Sequence, residues 1–388
     1  MRLTIWPPSR DAATAPRVAE FFAGVGLVRM ALEQTGFKVV FANDIDPTKE
    51  RIYAANFSPS PFICGDIRHL RGADIPDVEL ATASFPCTDL SLAGNRAGLE
   101  GSQSGVLSEF LRVIREMGPR KPAGVLLENV IGFATSKSGD DIRSTIASLN
   151  ELGYVCDILT LDAKQFVPQS RPRLFIVASE RGRVRSSEWL PSEVRPKWVF
   201  SFARKHPELD LAATALPALP KSAITSVSEI VERFHPNHEI WWDTSRQDGF
   251  LRSLSEINSK RLALMRQSTT EVHATAYRRT RHGVAVWEIR ADRLSGCLRT
   301  ARGGSSKQAV VEAGNDQIRV RWMTAREYAR LQGAPDFSLP GVSESQGKFA
   351  LGDAVCVPVV SWLAEHYLKP LLGQRSGNSQ TESLLKYG

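Results

Sequence analysis

Cysteine is scarce in this sequence, and none of it stands in a pattern typical of metal binding or disulfides. The 388 residues include five cysteines, all far apart and without a CxxC pair, which argues against a disulfide framework and a zinc cluster. His235 and His238 are close in the chain, but they indicate a polar turn. Residues 1–16 lack the apolar run of a signal peptide, and no other stretch predicts a membrane span. We therefore expect a soluble, cytoplasmic protein without a metal.

Acidic residues are outnumbered by basic ones. Lys and Arg total 49 against 42 Asp and Glu, which gives a net charge of +7. This excess favours an anionic partner, most commonly nucleic acid, although basic proteins without such partners are also common. The contents of 42% hydrophobic and 23% charged residues are ordinary for a globular protein. The length suits one large domain and a smaller one.

Residues 17–180 alternate short apolar strands with amphipathic helices, which is typical of a doubly wound, mostly parallel α/β sheet. The predicted strands are Arg17–Phe22, Lys38–Ala42, Leu80–Ser84, Gly124–Leu127 and Arg173–Ala178, and the predicted helices are Leu27–Gln34, Pro47–Asn56, Gly105–Met117 and Ile142–Leu152. Between 181 and 318 this alternation is lost. Helical spacing returns after Thr324, and Val355–Leu368 is predicted as a last helix that packs back on the first domain.

A glycine-rich turn, FFAGVG at 21–26, lies between the first strand and the first helix. Glycines at such a turn let the backbone approach a ligand, and the helix N-terminus favours negative charge. Asp44 and Asp66 end the next two strands, where carboxylates can accept hydrogen bonds from ribose hydroxyls. The residues alone leave two alternatives open: a tight turn that binds no ligand, and acids that serve as helix N-caps.

Three further segments carry reactive or charged side chains near strand ends. Cys87 follows a proline on a stiff loop, where backbone N–H groups can stabilise a thiolate; the alternative is a buried, inert cysteine. Glu128 closes an apolar strand before Asn129, and its charge there is costly unless it is paired; the alternative is a helix cap. Arg171 and Arg173 are two apart on an extended segment, so they point to one face and can clamp a carbonyl or phosphate, unless they are simply solvated.

Taken together and in this order, these segments resemble the motifs of the cytosine-5 DNA methyltransferase family, bacterial type. The most specific patterns are Pro-Cys at 86–87, Glu-Asn-Val at 128–130 and Gln-x-Arg-x-Arg at 169–173. Residues 321–333 and Gly-Asp-Ala-Val at 352–355 resemble later motifs of that family. The similarity therefore spans most of the chain.

The resemblance implies a Rossmann-like, S-adenosylmethionine-dependent methyltransferase fold with a smaller target-recognition domain. The catalytic domain is expected at 14–180 plus 346–372. The recognition domain is expected at 181–345, and the tail 373–388 is expected to be disordered.

The resemblance also implies roles for the site residues. Cys87 is the nucleophile that attacks C6 of a flipped-out cytosine, Glu128 binds the N3 side, and Arg173 binds the O2 side. Asn129 and Arg171 support this geometry. C5 then takes the methyl group of S-adenosylmethionine, which leaves S-adenosylhomocysteine, and no metal takes part. The implied cofactor-binding residues are Phe22, Ala23, Gly24, Gly26, Leu27, Asp44, Ile45, Asp66, Ile67, Pro86, Leu107, Asp353, Ala354 and Val355.

Four positions depart from the family pattern. Leu27 stands where a second glycine is usual, and it predicts a tighter cofactor turn. Thr88 replaces a common glutamine, a minor change, and Cys297 replaces a usual threonine. Asp353 stands in place of the usual asparagine. Our hypothesis for Asp353 is that a carboxylate near the methionine end of the cofactor alters the choice of cofactor or weakens binding of the natural one.

The stretch 278–307 is predicted to read DNA. It holds eight basic residues against two acidic ones. It also includes the glycine- and serine-rich segment 303–306, which lets the backbone approach a DNA strand. Any single arginine there is alternatively part of a solvated basic face. The predicted DNA-contacting residues are Arg278, Arg279, Arg281, Arg299, Arg302, Gly303, Gly304, Ser305 and Lys307.

Three other functions share part of this pattern. An RNA cytosine-5 methyltransferase of the tRNA-methylating kind has the same motifs, but the long basic region favours duplex DNA. A catalytically silent DNA-binding protein does not need Cys87 or Glu128, and a nicotinamide dehydrogenase gives them no role. We expect a monomer that acts on double-stranded DNA at a bacterial nucleoid, accompanied by a cognate restriction endonuclease.

Overall fold

Apolar strands from the first half of the chain build a seven-stranded sheet. The structure, a computed structural model, describes residues 15–86, 105–183, 191–222, 224–281, 283–300 and 307–373. The strands are β1 Arg17–Phe21, β2 Lys38–Asp44, β3 Phe62–Cys64, β4 Leu80–Ala83, β5 Gly124–Val130, β6 Tyr154–Asp162 and β7 Pro172–Glu180. Their spatial order is β3-β2-β1-β4-β5-β7-β6, and of these seven only β7 runs antiparallel to its neighbours. The predicted mostly parallel α/β sheet is confirmed.

Burial explains why these strands are continuous apolar runs in the sequence. β4 is buried throughout, and β1 and β5 are buried except at one end, as expected of strands covered on both faces. β1 lies between β2 and β4, so the chain connections leave it in opposite directions. Such a switch point opens a crevice at the carboxyl ends of the strands, where α/β proteins bind ligands.

The helices include the four that were predicted between 27 and 152, each within two residues of its predicted ends. The helices are α1 Leu27–Gln34, α2 Pro47–Asn56, α3 Val106–Glu116, α4 Asp140–Glu151, α5 Lys197–Lys205, α6 Thr244–Arg252, α7 Glu256–Arg266, α8 Ala325–Leu331, α9 Glu344–Asp353, α10 Val357–Leu363 and α11 Lys369–Gly373. α1 and α2 match their predictions at both ends. α10 begins two residues later than predicted, because Cys356 is its N-cap and Pro358 falls in its first turn. It packs against α1, as predicted.

Strand β6 has no counterpart among the predicted strands. It pairs antiparallel with β7 along its whole length. Asp157 interrupts its apolar pattern, although this carboxylate is buried and pairs with Arg195 at 2.6 Å. A charged residue inside a buried strand is stable only with such a partner, and the partner cannot be read from the local sequence.

Residues 272–322 contain a second, antiparallel sheet that was not predicted. Its strands are β8 Val272–Arg281, β9 Val284–Ile289, β10 Gln308–Gly314 and β11 Gln317–Trp322, in the spatial order β11-β10-β8-β9. Asn315 and Asp316 join β10 to β11 with φ angles of 50° and 60°, as a two-residue type I′ turn requires. Trp242, Trp287 and Trp322 pack ring against ring in the core beneath it. The division into catalytic and recognition domains stays a prediction.

The helical run Glu344–Gly373 meets the length and composition of a membrane span, contrary to the expectation from sequence. However, 67% of its most apolar window is buried inside the fold. The run therefore has the character of a core helix, and its α10 portion covers α1. The predicted tail lies outside the described residues except for Gly373.

Candidate active site and cofactor crevice

The turn after β1 has a backbone shape that favours glycine. Phe22, Gly24 and Gly26 have φ angles of 54°, 57° and 88°, all in the left-handed region. A Cβ added at Gly26 would lie 2.4 Å from the ring of Phe57 and 2.8 Å from that of Tyr53, so no larger residue fits. A Cβ added at Gly24 meets nothing within 4 Å. The turn is therefore packed at Gly26 and open at Gly24, where a ligand can approach.

Asp44 ends β2 at the crevice and ties the glycine turn to it. Its carboxylate accepts hydrogen bonds from the backbone N–H groups of Gly24 at 2.9 Å and Asp46 at 3.0 Å. Because a carboxylate has about four acceptor positions, these two bonds leave capacity for further donors such as ribose hydroxyls. Ile45 beside it is 65% exposed, and this apolar surface suits the face of a base.

Asn43 joins the ends of β2 and β3, a role that sequence reasoning missed. Its side-chain amide donates to the carbonyls of Ile63 and Gly65, both at 2.9 Å. Asp66 accepts a hydrogen bond from the N–H of Arg68 at 2.9 Å and caps a short 3₁₀ turn. This is the helix-cap alternative that the sequence left open, and a cofactor contact by Asp66 stays a prediction.

Four residues that the resemblance implied in cofactor binding have side chains in the hydrophobic core. Leu27, Ile67, Leu107 and Val355 are all nearly fully buried. They pack in the clusters on the two sides of the sheet, because each lies on the inward face of its segment. We therefore expect their side chains to support the walls of the crevice from behind.

The loop after β4 is anchored up to Pro86, the last described residue before the gap at 87–104. Asn129 donates its side-chain N–H to the carbonyl of Phe85 at 3.2 Å. The ring of Phe85 packs edge-on against Phe133, with 5.4 Å between ring centroids. Cys87 itself lies outside the described residues. The chain that leads to it is held at the end of β4, next to the end of β5.

Glu128 and Arg173 form an ion pair where β5 and β7 adjoin. Arg173 Nε lies 3.0 Å from Glu128 Oε1, and both side chains are mostly buried. The antiparallel register places Val130 opposite Arg173, which brings the acid and the guanidinium together. Glu128 thus has the partner that a charge in this position needs, and it is not a helix cap.

Arg171 is buried and joins three segments of the chain. Its guanidinium donates to the backbone carbonyls of Leu298 at 2.8 Å, Gly352 at 3.2 Å and Ala354 at 2.7 Å. Burial lowers the pKa of this guanidinium, and the nearby charge of Arg173 adds to that effect. Because its terminal nitrogens donate to these carbonyls, Arg171 holds the three segments together, and its supporting role in catalysis stays a prediction.

Cys297 lies against both arginines, which confirms that their guanidinium groups reach one side. Its sulfur is 3.5 Å from Nη1 of Arg171 and 3.8 Å from both terminal nitrogens of Arg173. Burial favours the neutral thiol, but the two positive charges hold the pKa of Cys297 below its ordinary value. The departure from threonine therefore introduces an ionisable group beside the Glu128–Arg173 pair.

The predicted DNA-contacting stretch is described in part. Arg279 and Arg299 are exposed, Arg278 and Lys307 are partly buried, and Arg279 pairs with Glu288 at 3.3 Å. The side chain of Arg281 and residues Arg302, Gly303, Gly304 and Ser305 lie outside the described residues.

The stretch that follows β9 is hydrogen-bonded to the segment 168–173, which carries Arg171 and Arg173. The backbone N–H of Ser170 donates to the carbonyl of Ser295 at 2.9 Å, and that of Ser295 donates to the carbonyl of Pro168 at 2.7 Å. Residues 295–298 therefore lie directly beside Arg171 and its neighbours.

His235 and His238 form a polar turn, as predicted. Each ring accepts a hydrogen bond from a backbone N–H two residues on, at 3.3 Å and 3.0 Å respectively. Within the described ranges, no group of three or more His, Cys, Asp or Glu is arranged to hold a metal ion.

The comparison with known families agrees with the motifs and extends along the chain. A model of the family "C-5 cytosine-specific DNA methylase" matches residues 16–369. The chain belongs to this family. The methylase is 29% identical over 361 residues to the Type II methyltransferase M.Bsp6I of Bacillus sp. (strain RFL6), covering 92% of this chain and 99% of that protein. It is also 29% identical to the Type II methyltransferase M.NgoBI of Neisseria gonorrhoeae, covering 89% and 90% of the two chains.

Solved structures share the fold of the methylase. The crystal structure of S. pombe Dnmt2 methyltransferase has a TM-score of 0.60 at 22% identity and covers 92% of this chain and 99% of that chain. At this identity the likeness shows the fold alone. Family membership confirms the expected enzyme class, a DNA cytosine-5 methyltransferase that depends on S-adenosylmethionine, and leaves the dehydrogenase alternative without support.

Two positioning residues of the methylase had no role in the sequence predictions. Gln169 is fully buried and accepts a hydrogen bond from the N–H of Leu298 at 3.2 Å. Lys49 lies between Asp44 and Asp353, with its ammonium 3.9 Å and 3.6 Å from their carboxylates. In each case a partner comes from a distant part of the chain, so residue spacing gave no signal of the contact.

Proposed function

We propose that the methylase transfers the methyl group of S-adenosylmethionine to C5 of a cytosine flipped out of duplex DNA, through a covalent bond between Cys87 and C6. The observation that carries this proposal is the Glu128–Arg173 ion pair beside the loop that Asn129 anchors at Phe85. Because Cys87 follows two residues after this anchor, we expect its thiol to face the pair.

The proposed adduct makes C5 nucleophilic, which it is not in free cytosine. The Cys87 thiolate adds to C6, the C5=C6 electron pair shifts to form C4=C5, and the C4=N3 pair moves onto N3. Glu128, which enters this step in its protonated form, gives its proton to N3. C5 then uses the C4=C5 pair to bond to the methyl carbon. Loss of the C5 proton to a base restores C5=C6, expels the thiolate and lets N3 return its proton.

The residues at the crevice fit S-adenosylmethionine. When bound, this cofactor supplies a methyl group on a positively charged sulfur and leaves as S-adenosylhomocysteine. Asp44 retains acceptor capacity for the ribose, exposed Ile45 offers an apolar surface to the adenine, and the open side of Gly24 lets the backbone approach. Ala354 belongs to the segment that Arg171 holds at this crevice.

Arg173 and Asn129 act on geometry in this proposal. The bond from Arg173 to Glu128 keeps the acid in place, and in this proposal the planar guanidinium of Arg173 donates to O2 of cytosine. A target base must leave the helix stack to reach these groups, because none of them can enter a duplex.

We further propose duplex DNA as the substrate and the cytoplasm as the place of action, with the methylase working as a monomer. The stretch 278–307 is strongly basic. Ser295, which belongs to it, is hydrogen-bonded to Pro168 and Ser170 next to Arg171. DNA bound to this stretch would therefore lie next to the site. Because the similar proteins are named Type II methyltransferases, we propose that a cognate restriction endonuclease accompanies this one.

Transfer of labelled methyl groups from S-adenosylmethionine to duplex DNA tests the activity, with transfer RNA as the competing substrate. We expect Cys87→Ala to abolish transfer. Cys156→Ala is the matched control, since Cys156 is buried in β6 away from the site. Methylation of RNA alone, or full activity of Cys87→Ala, would contradict the proposal.

Duplex DNA with 5-fluorocytosine at the target tests the covalent step. Fluorine cannot leave C5 as a proton does, so wild-type protein should remain bound to this DNA in denaturing detergent, and Cys87→Ala should not. Bisulfite sequencing of DNA from expressing cells identifies the target sequence needed for this probe.

A further inference from the structure

Lys49 lies close to carboxylates on two separate segments of the cofactor crevice. It lies in the first turns of α2, and its ammonium is 3.9 Å from Asp44 Oδ2 and 3.6 Å from Asp353 Oδ2. Asp44 comes from the end of β2, whereas Asp353 is the last residue of α9. The Lys49 side chain therefore links the end of β2, which is hydrogen-bonded to the glycine turn, to the end of α9.

The burial of this lysine requires such partners. Its side chain is only 16% exposed, whereas that of Asp353 is 44% exposed. An ammonium in this position is stable only when paired with negative charge. Burial opposes ionisation, but the carboxylates of Asp44 and Asp353 raise the pKa of Lys49 above its ordinary value, so the side chain stays charged.

The same contact gives a physical reason for the departure at 353. Asp44 and Asp353 both lie within 4 Å of one ammonium, so without Lys49 their two negative charges would repel each other. With Lys49 in place, the charge of Asp353 is compensated and the two side chains form an ion pair. An asparagine at 353 would make only a neutral contact with the ammonium. Arg171 and Gln332 hold the same segment through its backbone carbonyls, and Lys49 adds an attachment through a side chain.

We propose that Lys49 is a positioning residue for the cofactor: its ammonium fastens Asp353 to Asp44 and so holds the segment 352–355 against the glycine turn. This inference rests on the proposed function in that the crevice binds S-adenosylmethionine. Lys49 and Asp353 form a coupled pair, so the loss of either side chain removes the same tie.

Calorimetric titration of the full chain with S-adenosylhomocysteine and S-adenosylmethionine, without DNA, tests this coupling. Lys49→Met should weaken binding of both by about tenfold, which corresponds to about 1.4 kcal/mol, and Lys49→Arg should stay within about threefold of wild type because it keeps the charge. Asp353→Asn should also weaken binding, and the double variant Lys49→Met/Asp353→Asn should bind no more weakly than Lys49→Met alone, because both substitutions remove the same tie. Arg51→Met is the matched control, since Arg51 is an exposed cation on the same helix.

Kinetics give a second readout that a general loss of structure would not reproduce. Lys49→Met should raise KM for S-adenosylmethionine and leave KM for DNA and kcat at saturating cofactor unchanged. If Lys49→Met does not fold, as judged by circular dichroism, Lys49→Gln takes its place in the same set.

Three outcomes overturn the inference in distinguishable ways. Wild-type affinity in Lys49→Met shows that the lysine does not position the cofactor. Losses in the two single variants that multiply in the double variant show that Asp353 is not its coupled partner. If wild-type protein binds neither cofactor form, the proposed function falls and takes this inference with it.

Discussion

Replacing Arg171 with methionine gives a prediction whose magnitude follows from the structure. Methionine keeps an unbranched apolar chain but leaves the carbonyls of Leu298 and Gly352 without their nitrogen donor, whereas the carbonyl of Ala354 keeps the hydrogen bond from Gln332 at 2.9 Å. An unpaired buried acceptor costs about 1–2 kcal/mol, so two cost about 2–4 kcal/mol. Removal of a buried charge offsets part of this cost, and we expect the free energy of unfolding to fall by about 2 kcal/mol. Urea denaturation followed by tryptophan fluorescence measures this difference.

Arg143→Met is the control for the loss of an arginine. Arg143 pairs with Glu208 at 2.9 Å where both side chains are about half exposed, and such surface pairs contribute less than about 1 kcal/mol. Arg171→Met should also raise KM for S-adenosylmethionine, because the segment 352–355 loses an attachment. If Arg171→Met lost no more stability than Arg143→Met, the three carbonyl bonds would not hold these segments together.

Three other substitutions test the acid, the turn and a buried carboxyl. Glu128→Gln should lower kcat by about 100-fold or more, because the amide is too weak an acid to transfer a proton to N3, while calorimetry should show unchanged binding of S-adenosylhomocysteine; a normal kcat would refute the role of the acid. Gly26→Ala should lower the free energy of unfolding by about 2 kcal/mol or more, since its Cβ would meet the ring of Phe57 at 2.4 Å, and an unchanged urea midpoint would contradict this. Burial raises the pKa of Glu20 from 4.5 to about 8, so its contribution to stability is full at low pH and is lost as pH rises through about 8. Glu20→Gln should remove this dependence and gain stability relative to wild type as pH rises from about 5 to 8, and parallel pH profiles of the two proteins would rule it out.

Elements that depend on neighbouring residues were predictable. α1 and α2 have the predicted ends, because helical spacing and start signals such as Asp46-Pro47 act within one or two turns. The position of the glycine turn was likewise evident, since only a few residue types accept left-handed backbone angles. The packing of Gly26 against Tyr53 and Phe57 was not evident, because those rings come from α2 and the residue after it.

Elements whose hydrogen-bond partners lie far along the chain were not predictable. β8 pairs with β10, although β9 and the stretch after it lie between them in the chain. No local sequence pattern indicates such a pairing. β6 was hidden by Asp157, whose charge is acceptable only beside Arg195. Long-range pairing of this kind is decided when the whole chain folds.

The order of amino acids indicated which groups we propose carry the chemistry and which end of the sheet they occupy, since motif residues and strand ends are local properties. It did not reveal which of these groups meet. Arg173 pairs with Glu128, whereas Arg171 turns to backbone carbonyls, and Lys49 reaches Asp353 across nearly the whole sequence. Hydrogen bonds and ion pairs require approach to within about 3–4 Å, and folding in three dimensions, not spacing along the chain, brings these atoms that close.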